Sequence, residues 1–259
     1  MSDHSRTSRL YVLDRVLGDT FTRSGTRRWL LQRAAVGAAA VAGATIIPTS
    51  ASALAEKPDD SPRRVGEFTS TTEALTVTIL TELLRRTSLH PEVPSNVSTI
   101  FDAVYAAELA HWNFISKHFP PSTMRFWIPD GFFGGAGDAL DLTAVGKGVS
   151  AGETLFINTY LVAVTAFAEA GNSDFARYSA EAAGDESEHR VLGQTLAGAS
   201  PPNNLGFEVF LYDNVSDIGA AAVSAGFGFG QQGTSAGRFY DFPQPPMAPP
   251  IAIESTQPR

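Results

Sequence analysis

Two short stretches, Glu108-Leu109-Ala110-His111 and Glu186-Ser187-Glu188-His189, repeat the pattern Glu-x-x-His. Residues three apart on a helix share a face, so each carboxylate and its imidazole can reach one metal ion, or the carboxylate can bridge to a second. Among 13 Glu and 5 His in 259 residues, fewer than one such pattern arises by chance. Two further acids lie inside apolar stripes: Glu73 shares a face with Val77, Leu80 and Leu84, and Glu153 with Phe156, Ile157 and Tyr160. An uncompensated buried carboxylate costs several kcal/mol, so in a packed core each needs a partner. Cysteine is absent, which removes thiolate metal sites, iron–sulfur clusters, disulfides and a cysteine nucleophile. Metal chemistry in this chain must therefore use carboxylates and histidines.

Four helical segments must position these residues. Leu75, Val77, Ile79, Leu80, Leu83 and Leu84 predict a helix over 69–86, with Ser and Thr before it as caps and Arg85-Arg86 opposing its dipole at the end. Pro91 and Pro94 close a short connection, and Ser95 can cap a second helix running to about His118. Residues 119–147, with three prolines, several glycines and many aromatics, read as an irregular crossover packed on the helices. A third helix is expected over 149–170, and Gly171 ends it. Ser173 or Asp174 caps a fourth over about 175–196. Short connections make helices 1 and 2, and helices 3 and 4, antiparallel neighbours. At ~3.3 Å per residue the crossover reaches far beyond the ~30 Å of a 20-residue helix, so it can traverse the molecule and set helices 2 and 3 parallel. Heights agree in the first pair, where Glu73 stands 14 residues before Thr87 and Glu108 stands 13 after Ser95; in the second, Glu153 stands 17 before Ala170 and Glu186 stands 13 after Ser173, an offset of four residues or ~6 Å that long side chains can span. The expected fold is all-α, a four-helix bundle over 69–197 with one long crossover between helices 2 and 3. A linker at 56–68 precedes it and a C-terminal extension at 198–259 follows. That extension holds an apolar cluster at 205–212, a short helix near 217–223, and a tail rich in Gly, Pro and Gln that reads as disordered.

The first 55 residues read as a segment apart. They carry seven Arg and three Asp ahead of the mildly apolar run 34–47, which is too short and too rich in Ala and Gly for a permanent membrane anchor. Pro48 follows, and Ala51, Ala53 and Ala55 offer cleavage after Ala53 or Ala55. The motif Thr26-Arg27-Arg28-Trp29-Leu30-Leu31 resembles a twin-arginine export signal. That resemblance implies export of an already folded protein to the periplasm, cell wall or medium by the twin-arginine machinery. Net charge is −8 for the whole chain and −12 without this segment, which argues against a nucleic-acid partner. Gly226-Phe227-Gly228-Phe229-Gly230 has no strand-loop-helix context for phosphate.

Taken together, Glu73, Glu108/His111, Glu153 and Glu186/His189 strongly resemble the ligand pattern of the ferritin-like di-iron or di-manganese carboxylate proteins. The Glu-to-Glu spacings of 35, 45 and 33 look like those of ferritins and bacterioferritins. The resemblance implies that Glu73 and Glu153 are terminal ligands, Glu108 and Glu186 bridge two divalent ions, and His111 and His189 complete one ion each. It also implies that Asp185 accepts a hydrogen bond from a ligand imidazole, His111 being the nearer choice. Two divalent ions would balance the four carboxylates, so the filled site is neutral in its low-dielectric surroundings. Tyr105, one turn before Glu108, and Tyr160, two turns after Glu153, are candidates to hydrogen-bond a ligand or pass an electron, with core packing the plainer role. His90 and His118 fit no ligand spacing, and Glu169, Glu181 and Glu188 read as solvated charges. Hard carboxylates with two imidazoles suit Fe first and Mn as the alternative. The implied activity is oxidation of Fe(II), or reduction of O2 or peroxide, in iron handling or oxidative-stress protection. Two alternatives stand beside it. One is a manganese catalase-like enzyme. The other is a stress- or desiccation-related bundle, as in the exported ferritin-like domain group, in which metal is structural. A homo-oligomer is compatible with either.

Overall fold

The structure, a computed structural model, describes residues 60–200, 202, 210–244 and 246–248. The export motif with Arg27 and Arg28, and the cleavage positions Ala53 and Ala55, lie outside them. The described chain is mostly helical with a small sheet. Its elements are α1 (Pro62–Leu89), α2 (Ser95–Ile115), β1 (Arg125–Pro129), a 3-10 turn (Asp130–Phe133), α3 (Leu142–Glu169), α4 (Ser173–Leu196), α5 (Val215–Ser224), β2 (Gly228–Phe229) and β3 (Gly237–Asp241).

Helix α1 begins seven residues ahead of the expected start. Ser61 caps it and Pro62 occupies the first position, where a missing N–H costs nothing. The Ser/Thr cluster read as a cap lies inside the helix instead. Thr69, Thr78 and Thr81 donate their hydroxyls to the carbonyls of Val65, Ala74 and Val77, each four residues back, so their polar atoms are satisfied without ending the helix. Ser95 is likewise inside α2; the cap position is Pro94, with no side-chain bond. α2 ends at Ile115, three residues short of the expectation. α3 begins at Leu142, seven residues early, because the Asp141 carboxylate accepts from the N–H groups of Thr143 and Ala144. Between α3 and α4, Gly171 takes φ +73°, and Asn172, not Ser173 or Asp174, supplies the cap.

α3 packs most extensively on α4, α1 on α2, and α1 also on α3. The α3/α4 seam depends on two glycines: a Cβ at Gly146 would lie 2.4 Å from the Ala197 nitrogen and 2.6 Å from the Gly193 oxygen. The main chains therefore approach more closely than any larger residue permits. α3 is also, among the described helices, the one long and apolar enough to cross a membrane, yet half of its most apolar window is buried inside the protein.

The crossover and the tail are more regular than their composition suggests. β1 pairs antiparallel with both β2 and β3 in the order β2-β1-β3, with Phe126 opposite Tyr240 and Trp127 opposite Phe239. The Gly-rich stretch expected to be disordered thus supplies two edge strands to the crossover. Arg86, fully buried, ties this sheet to α1: it donates to Glu82 Oε1 (2.7 Å), the Ala139 carbonyl (2.5 Å) and the Tyr240 hydroxyl (2.9 Å), with its guanidinium over the Phe133 ring. The short helix α5 extends the expectation by a few residues. Its Val215 and Ile218 pack with Val162, Ala163, Ala166 and Phe167 of α3.

Candidate metal centre

Each of four helices delivers one acid to the same interior volume. Glu73 comes from α1, Glu108 from α2, Glu153 from α3 and Glu186 from α4; Glu73, Glu108 and Glu186 are fully buried and Glu153 nearly so. The i, i+3 spacing places His111 and His189 on the faces of Glu108 and Glu186, and both imidazoles are buried. The two motifs interlock: His189 Nδ1 lies 2.8 Å from Glu108 Oε1 and 3.0 Å from Glu186 Oε2, and His111 Nδ1 lies 3.4 Å from Glu186 Oε1 and 3.6 Å from Glu108 Oε2.

Ligand atoms fall into two overlapping groups, Glu73/Glu108/His111/Glu186 and Glu108/Glu153/Glu186/His189, each with its atoms within 4.8 Å of one another. Such a buried cluster can hold a metal ion. Its chemistry fits one: Glu73 Oε2, both Glu108 oxygens, His111 Nδ1, Glu153 Oε2 and Glu186 Oε1 are buried without an aligned hydrogen-bond partner. Buried polar atoms are rarely left so, and a cation bound among them would satisfy them.

Electrostatics point the same way. Burial, reinforced by the Glu108 and Glu186 charges, raises Glu73 well above the usual carboxylate range, and burial with the same two charges raises Glu153. Burial would also raise Glu108, but the imidazoles of His189 and His111 override it and pull that carboxyl down. Burial alone would lower both histidines. Hydrogen bonds to Asp185, Glu108 and Glu186 reverse the sign at His111, and Glu108 and Glu186 do so at His189. Without cations, the surroundings of Glu73 and Glu153 thus favour their uncharged forms, while the two imidazoles offset the charge of Glu108.

Around the ligands, His111 Nε2 sits 3.2 Å from Asp185 Oδ2, leaving Nδ1 to face inward. Asp185 is itself half-exposed. The Tyr160 hydroxyl donates a hydrogen bond to Glu73 Oε1, across the core rather than to the Glu153 of its own helix. Tyr105 is not at the cluster: its hydroxyl donates to the Met247 carbonyl (2.9 Å). Tyr178 is a neighbour that sequence reasoning passed over. It donates to the His111 carbonyl (3.1 Å), and its position on the stripe Tyr178, Ala182, Glu186, His189 was the available signal. His90 bridges Glu92 and the Asp138 carbonyl, and His118 lies against Phe114 and Phe175, both away from the cluster. Glu169, Glu181 and Glu188 are exposed.

No protein family, no curated protein and no solved structure matches the chain.

Proposed function

We propose that the chain is an exported four-helix bundle of ferritin-like type in which Glu73, Glu108, His111, Glu153, Glu186 and His189 hold two divalent ions, iron in preference to manganese, and that it oxidises Fe(II) with O2 or peroxide. The observation that carries this reading is the overlap of the two ligand groups, in which Glu108 and Glu186 belong to both. Glu73 and His111 would flank one ion and Glu153 and His189 the other.

Bound iron would supply the one-electron steps that carboxylates and imidazoles cannot perform. The protein's own part is to bind, orient and exclude. Burial of all six side chains keeps bulk water from the cluster. Asp185 fixes the His111 ring with Nδ1 inward, and Tyr160 occupies one Glu73 oxygen and leaves the other, which has no hydrogen-bond partner, for an ion. Burial and the Glu108 and Glu186 charges raise Glu73 and Glu153, so ion binding there would compete with protons. Arg27 and Arg28 would direct the folded protein out of the cytoplasm, where removing Fe(II) and peroxide together limits radical damage.

The test is O2 uptake after anaerobic Fe(II) loading, with the appearance of Fe(III) absorption, in the wild type and in Glu108→Ala. Uptake that disappears in the variant supports the oxidase. Retained metal with no turnover of Fe(II), O2 or peroxide makes the metal structural, and O2 release from peroxide by the manganese form makes it catalase-like. Export is tested separately: Arg27→Lys/Arg28→Lys should remain in the cytoplasm, and its normal export would remove that part of the reading.

A further inference from the structure

We infer that Tyr160, Tyr178 and Asp185 make the two ion positions unequal: Glu73 and His111 would bound the one that holds a divalent ion more tightly, and Glu153 and His189 the one that holds it more weakly. This rests on the dinuclear reading above and specifies how its halves differ.

The inequality lies outside the ligands. Glu73 is held by the Tyr160 hydroxyl. His111 is held three ways: Asp185 on Nε2, the Tyr178 hydroxyl on its backbone carbonyl, and both tyrosine rings edge-on to the imidazole at 6.2 and 6.4 Å. Those rings brace each other at 6.2 Å, and Phe114 packs against Tyr178 at 4.2 Å. The resulting wedge fixes one acid and one imidazole before any ion arrives, so little freedom is lost on binding, and Asp185 adds negative charge behind the ring. On the other side, among the described residues, no hydrogen bond from outside the cluster reaches Glu153 or His189. Glu153 Oε2 has no partner, and His189 Nδ1 pairs only with the shared acids Glu108 and Glu186. Tyr160, Tyr178 and Asp185 are thus positioning residues for one half of the site.

The experiment is anaerobic titration of chelated full-length protein with Co(II) alone, followed by visible absorption and calorimetry. Two binding steps separated by at least about tenfold are expected. Tyr160→Phe and Asp185→Asn should weaken the tight step by roughly 10- to 100-fold, the range for removing a partner behind a ligand, and leave the weak step in place. Glu153→Gln should abolish the weak step and leave the tight one. Tyr178→Phe removes a hydroxyl while keeping the ring, and should act on the tight step alone. Anomalous diffraction from wild-type crystals given one equivalent of Mn(II) needs no variant and should place the ion beside Glu73 and His111. Two equal steps, a tight step lost with Glu153→Gln, or the first Mn(II) beside His189 would overturn the inference while leaving the dinuclear reading intact. No Co(II) binding at all would overturn both.

Discussion

Oε1 of Glu108, on α2, lies 2.8 Å from Nδ1 of His189, on α4, so the acid of one Glu-x-x-His motif meets the imidazole of the other across the core. Glu108 and Glu186 therefore serve both ligand groups, whereas Glu73 and Glu153 serve one each. Glu108→Ala should remove both ions and Glu73→Ala one, which metal content per chain after gel filtration resolves. Equal losses from the two variants would refute the shared role of Glu108.

Removing metal should make stability depend on pH with a definite sign. Glu73, Glu153, His111 and His189 all have raised folded-state pKa values. A raised group favours the fold fully below its unfolded pKa and loses that contribution as pH climbs through the folded one. The chelated fold should weaken from about pH 4.3, the ordinary Glu value, through about 6.5, the ordinary His value, and beyond. Glu108, pulled down, acts in the opposite sense and only in acid. Thermal melts should show Tm of the chelated protein falling between about pH 5 and 8 while the loaded protein changes little. A flat profile after chelation would contradict this.

Two glycines on the helical scaffold should respond oppositely to alanine. At Gly146 a methyl group would strike the backbone of Ala197 and Gly193, forcing α3 and α4 apart at a cost of roughly 1–3 kcal/mol. At Gly184, exposed on α4, nothing lies within 4 Å of an added Cβ, and alanine should stabilise the helix by up to about 1 kcal/mol. Urea denaturation of both variants checks the signs.

Arg86→Met should detach the sheet from α1. It removes the donors to Ala139 and Tyr240 and one of the two guanidinium partners of buried Glu82, a loss on the order of 3 kcal/mol. Hydrogen exchange should rise in β1 and β3 before it rises in α3 and α4. Unchanged protection of the strands would show that Arg86 does not anchor them.

The six residues of the cluster were legible because helical periodicity turns spacing directly into a shared face. An i, i+3 acid and imidazole, or an acid within an apolar stripe, points inward wherever the helix ends fall. Helix boundaries were less legible. The threonines of α1 carry the side chains of a cap but satisfy themselves on carbonyls one turn back, and Asp141 starts α3 from within what looks like loop. Pairing of β1 with β3 joins segments over a hundred residues apart, and no local pattern in a Gly-rich tail announces it. The Tyr160–Glu73 bond was hidden for a related reason: the ring's own helix offers Glu153, and only the packing of α3 against α1 turns the hydroxyl to the other acid.

Elemental analysis of the protein folded in its native host, with metal counted per chain, bears most directly on the proposed dinuclear centre. About two transition-metal ions per chain, chiefly iron, are expected. A folded protein that stays free of bound metal, both as isolated and after anaerobic incubation with Fe(II) or Mn(II), would contradict it.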